Sequence, residues 1–200
     1  TGAVNLSNPE YYATVTIKAL LKVLCDSTLN QFHNLAVDAL NFILNTLKSR
    51  FSNFLYLVIP VFTHLFQTEH SLRELLLHQL DKILKLCGPN FHEQFVEPVL
   101  ELTLTYLTDP NIKLQKCFET LLTLVKTSKR FLRHKMDLIT TKLNQIIRSF
   151  EDSRDVIYWV LSVYFCLGEM LDNHLENIIS LLTKIITNYS LTDTESLSNI

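Results

Sequence analysis

An all-α superhelix of two-helix repeats is the fold this chain predicts, and three observations predict it. Apolar residues recur every 40 positions: Tyr11, Phe51, Phe91, Phe131 and Leu171 each stand near the start of an apolar helical pattern. Four further columns keep that register, namely Ala19, Ile59, Val99, Ile139 and Ile179; Val37, Leu77, Cys117 and Ile157; Leu40, Leu80, Thr120 and Val160; and Leu44, Leu84, Leu124 and Tyr164. Chance matches are expected in a chain that is 48% hydrophobic, so the weight rests on the second observation, that the columns stay aligned without an insertion or deletion. Third, three glycines and five prolines leave little material for the turns of an all-β protein, whereas leucine and lysine, good helix formers, are plentiful.

A unit of this length is that of two-helix HEAT-type repeats. The register predicts a single HEAT/armadillo-like solenoid over residues 1–200, with repeats at about 9–48, 51–88, 91–128 and 131–168 and a partial fifth at 171–200. In the first repeat, Ser7 and Glu10 flank Pro9 as a capping pair, which predicts a helix from Pro9 to about Leu24. Asp26, Ser27 and Thr28 break it, and helical spacing resumes from about Gln31 to Leu47. The second repeat pairs about Ser52 to Phe66, kinked or started late by Pro60, with Ser71 to Leu86, closed by Gly88 and Pro89.

The third pairs about His92 to Leu107 with Ile112 to Thr127 across Asp109-Pro110-Asn111, where proline stops one helix and asparagine caps the next. The fourth pairs about Phe131 to Phe150 with Ser153 to Leu167, Glu151, Asp152 and Ser153 supplying the turn and an acidic helix start. Its second helix is apolar nearly all round, as expected of a helix packed on several sides. A fifth first helix is expected from about Asn173 to Tyr189, with Thr192 to Glu195 opening its partner, so the register expects the parent protein to continue past Ile200.

Composition narrows the function. With a net charge of −2 and basic residues scattered along the chain, no concentrated phosphate-binding face is expected, and nucleic acid is not an expected partner. Cys25, Cys87, Cys117 and Cys166 lie far apart in apolar stretches with no C-x-x-C pair, which reads as reduced core cysteine in an intracellular, cytoplasmic protein. The longest apolar stretch, Val156 to Leu167, falls short of the roughly 20 residues a membrane span needs. No basic, then apolar, then cleavable segment opens the sequence, and its Thr1-Gly2 start reads as that of a fragment.

Candidate chemistry is sparse. His70, Glu74 and His78 share a helix face, but the two histidines stand about 12 Å apart along the axis, too far to share a zinc without further ligands. A half-buried structural role is the better reading. His134 and His174 share a repeat column and Cys166 lies near His174, yet a cysteine amid apolar helix is a poor thiolate and no third group orients a base. Glu151 and Asp152 are adjacent rather than convergent. Gly2, Gly88 and Gly168 cannot form a phosphate cradle, and H-R-D and D-F-G kinase motifs are missing. No catalytic, cofactor-binding or metal-binding residue is therefore assigned, and no cofactor is expected.

The segment Asn8-Pro9-Glu10-Tyr11-Tyr12-Ala13-Thr14-Val15-Thr16-Ile17-Lys18-Ala19-Leu20, then Leu24-Cys25-Asp26, His33, Val37 and Ala39-Leu40-Asn41-Phe42-Ile43, resembles the HEAT-repeat region of the target of rapamycin (TOR) kinases. Leu167-Gly168-Glu169-Met170-Leu171-Asp172-Asn173-His174-Leu175 and the apolar helix after it are again similar to that family, while residues 49–154 keep only the repeat pattern. The resemblance implies a piece of the solenoid of a PI3-kinase-related serine/threonine protein kinase, itself without catalytic residues. It also implies a scaffold in growth signalling that docks regulatory subunits such as Raptor or Rictor, or the second kinase protomer. One departure is that Ser49 or Arg50 stands where a glycine often closes the second helix of repeat one. Generic HEAT adaptors, such as a transport receptor or phosphatase scaffold, share the architecture. A small helical metalloenzyme built on the histidine face is the remote alternative.

Overall fold

A computed structural model describes residues 9–109, 112–150 and 153–198. Among these no strand occurs, and nine α-helices follow one another: α1 (Pro9–Leu24), α2 (His33–Leu47), α3 (Leu55–Thr68), α4 (Arg73–Cys87), α5 (Glu93–Tyr106), α6 (Leu114–Ser128), α7 (Met136–Ser149), α8 (Arg154–Leu167) and α9 (Leu175–Ser198). The protein is all-α and of solenoid type, its helices packed consecutively in two compact units, Thr1–Phe131 and Leu132–Ile200.

In the first unit α1, α3 and α5 form one layer and α2, α4 and α6 the other. Each helix packs on its partner in the pair and on the like helix of the neighbouring pair. The registered columns supply the shared core. Leu44, Leu84 and Leu124 are buried, as are Val37, Leu77 and Cys117, and Leu40, Leu80 and Thr120. Phe51 and Phe91 are each 1% exposed, whereas Phe131, expected in an equivalent site, is only half-buried, with the Arg130 guanidinium 4.5 Å from its ring centroid. Leu132, one residue on, is the buried neighbour. At the ends of the register Ala19 and Ile179 are exposed.

In the second unit α7 packs on α8, and a 3-10 segment, Gly168–His174, packs against α7, α8 and α9. Val160, Val163, Tyr164 and Leu167 face inward from α8, while Tyr158, Leu161 and Phe165 are exposed, so α8 is less enclosed than its apolar sequence predicts.

Several helices begin two to five residues later than the periodicity indicates. The intervening residues form 3-10 turns at Ser27–Phe32, Lys48–Phe54, His70–Leu72 and Arg133–Lys135, which satisfy chain-entry hydrogen bonds over i to i+3. Pro60 lies inside α3, so this helix starts before the proline and not after it. α9 runs without a break to Ser198, against the expected turn before Thr192; Ser190 to Glu195 contains neither glycine nor proline to stop it. The predicted caps at Ser7, Pro110-Asn111 and Glu151-Asp152 fall outside the described residues, but Ser153 accepts from the Val156 N–H and caps α8.

Two helix ends explain the departure at Ser49. Lys48 closes α2 at φ 53°, ψ −126°, and Gly168, three repeat lengths on, closes α8 at φ 55°, ψ −126°. Both positions use the same turn, and only the second fills it with the residue free of Cβ strain. Gly88 stands in the same register yet keeps a helical φ of −46°. It serves close approach: a Cβ there would lie 2.8 Å from Thr127 Cγ2 of α6.

Candidate functional site

The histidine face does not assemble into a metal centre. His70 lies 3.5 Å from Arg73 through its Nε2, Glu74 pairs with Lys113 at 3.1 Å, and His78 is exposed. Among the described residues no three His, Cys, Asp or Glu side chains converge as metal ligands would. His134 is exposed, and His174 turns to Thr140 (3.4 Å) and Asp137 (3.5 Å). Burial pushes the Cys87 thiol up to about 11 and Cys117 up to about 12, so neither is a nucleophile at neutral pH.

The polar residues that do converge join one helix pair to the next. At the start of α2, His33 is 1% exposed, and its Nδ1 lies 2.7 Å from a Glu69 carboxylate oxygen. Its Nε2 faces the backbone carbonyls of Val23 at 3.0 Å and Asp26 at 3.1 Å. Every neighbour of the ring nitrogens is an acceptor, so the geometry suits an imidazolium donating from both sides. Burial lowers its pKa, but the bonds to Glu69 and the two carbonyls outweigh that effect, and the net shift is upward.

One repeat further, His33, Glu69 and the Asp26 carbonyl each have a counterpart. Arg73 at the start of α4 is 6% exposed; its Nε donates to the Phe66 carbonyl at 2.8 Å and its Nη1 to Asp109 at 2.6 Å. Residues 33, 69 and 26 thus map onto 73, 109 and 66, each 40 positions on. Tyr106 reinforces this second clamp, donating to the same Phe66 carbonyl at 3.1 Å and placing its ring 4.5 Å from the Arg73 guanidinium carbon. A lighter polar row follows along the second-helix layer, where Lys82 donates to Asn41 (3.2 Å), and Thr123 and Lys85 donate to Asp81 (2.6 Å each).

The clamps lie outside the registered apolar columns. The signal was nonetheless present, as a basic residue at 33 and 73 and an acid at 69 and 109. Chemically the arrangement binds carbonyls and carboxylates within the protein and offers no reacting atom. No described helix is long and apolar enough to cross a membrane.

Residues 2–88 match the family model described as the serine/threonine-protein kinase mTOR domain. Over 177 residues, 88% of this chain, the sequence is 23% identical to the serine/threonine-protein kinase tor1 of Schizosaccharomyces pombe, and spans 8% of that relative's length. The match to the family model takes in both partners of the first clamp, His33 and Glu69, together with the start of the second at Arg73. By these two matches the chain, all-helical among its described residues, is similar in sequence to the TOR serine/threonine-protein kinases.

Proposed function

We propose that the segment is a non-catalytic scaffold of a TOR-type kinase, serving protein–protein interaction and complex assembly in growth signalling in the cytoplasm. Its repeating unit is the helix pair, bounded at about 9–48, 51–88, 91–128 and 131–168, with a partial fifth at 171–200. The observation that carries the reading is the registered pair of buried clamps inside a TOR-related sequence: the buried polar groups hold one helix pair to the next, and the thiols of Cys87 and Cys117 are inert. A stack of this kind presents long ridges to other proteins. Raptor, Rictor or a second kinase protomer are the partners this reading implies.

Size-exclusion chromatography of the 200-residue chain with Raptor, with Rictor or with a TOR protomer, paired with a phosphoryl-transfer assay on a generic peptide, tests it. Co-elution with one of the three without phosphoryl transfer is expected. Transfer by the segment itself, or association with none of them, would overturn the proposal.

A further inference from the structure

Between α7 and α9 of the second unit lies an open groove of about 650 Å3. Its wall carries Asn144 and Arg148 from α7 and Asn177, Ser180 and Lys184 from α9, and Ile185 is its apolar, buried floor. No carboxylate lines it. Neither Arg148 nor Lys184 pairs with an acid among the described residues. Asn144 is oriented from behind, because the buried Tyr164 hydroxyl of α8 donates to its Oδ1 at 2.8 Å and leaves the amide NH2 to donate. Burial pushes the Tyr164 phenol well up, so it remains a neutral donor across the physiological range.

A groove rich in donors and cations and lacking acids suits an anionic ligand. Its volume is that of a site for an extended ligand and exceeds what one phosphate fills. The side-chain amides can meet a peptide backbone, and the apolar floor can take an aliphatic side chain. We propose that the α7–α9 groove docks an acidic peptide segment of a protein partner, with Arg148 and Lys184 as its charge contacts and Asn144 as the backbone contact positioned by Tyr164. This rests on the scaffold reading and names the face through which that reading would operate.

Fluorescence anisotropy of the 200-residue chain with a fluorescein-labelled octapeptide of alternating Glu and Leu tests it, with the Lys-Leu octapeptide as control. Binding of the acidic peptide alone, weakening with added salt, is expected. Arg148→Glu with Lys184→Glu should weaken it about a hundredfold, and Tyr164→Phe, which keeps the ring, by about threefold. Circular dichroism of each variant checks that the helices remain. Equal binding of both peptides, no effect of the charge reversal in a folded variant, or full displacement by millimolar inorganic phosphate would overturn the proposal, the last by revealing a small-anion site. Such a failure leaves co-elution of the unaltered chain with a TOR subunit unaffected, so the two readings fail separately.

Discussion

The clamp at His33 and the clamp at Arg73 occupy the same place in successive helix pairs, yet they answer differently to solution conditions. Both bury a basic group at the start of a second helix, both bond a carbonyl within or just past the last turn of the preceding helix, and both reach an acid one pair further on. A guanidinium, unlike an imidazole, is not a group that titrates near neutral pH, and Arg73 adds a contact with the Tyr106 ring. His33 must gain a proton to donate to Glu69 and to the carbonyls together. A repeat therefore conserves the geometry of a junction more readily than its chemistry, and one substitution separates a permanent junction from a titratable one.

The largest effect should come from Arg73→Met. It removes the buried cation while leaving Asp109 and the Phe66 carbonyl in place, and should destabilise the chain by about 3–5 kcal/mol in urea denaturation, nearly independent of pH between 6 and 8. A loss under about 1 kcal/mol would show that the two clamps are not equivalent in weight.

His33→Ala should come next, at about 2 kcal/mol near pH 6. The folded-state pKa of His33 is raised above the ordinary 6.5, so its stabilisation is full below that value and is lost as pH rises through the raised pKa. The gap between the native chain and the variant should narrow by pH 8. Asp26 and Glu69 are the acids that act on His33, and replacement of His33 by Arg should abolish the narrowing. A gap that widens with pH would break the comparison.

The smallest expected effect concerns the shared turn rather than the clamps. Lys48→Gly should stabilise by about 1 kcal/mol, because glycine adopts φ 53° without the strain a Cβ brings. Gly168→Ala, at the same turn, should destabilise by a similar amount. Thermal midpoints of the two variants read out the pair, and a stability loss on Lys48→Gly would refute the equivalence of the turns.

The apolar columns carried most of the architecture in the sequence, because burial between neighbouring pairs imposes a period on volume and hydropathy that survives drift in individual residues. Pro9 to Leu24 was legible to the residue, having a proline start and an Asp-Ser-Thr stop. The starts of α2, α3, α4 and α7 were not, since a 3-10 turn uses the same residue types as the α-helix that follows it and differs only in hydrogen-bond span. The half-exposure of Phe131 was hidden for a similar reason: a column shows that a residue is aromatic, not that it is buried, and here Leu132 beside it is the buried residue. The groove wall was illegible for a different reason, because it comes from two helices about 40 residues apart whose polar faces look individually like ordinary solvent-facing surface.

Gly88 bears on how such a stack can change over evolution. With hydrogen in place of a side chain, α4 ends where Thr127 of α6 comes within 2.8 Å of the position a methyl would take. Any larger residue would act as a wedge at one end of the α4–α6 pair, prising that end apart while the leucine-filled remainder stayed closed. The bend between two neighbouring helix pairs is thus tunable by a single carbon atom, a route to a new curvature that leaves core composition and both clamps untouched.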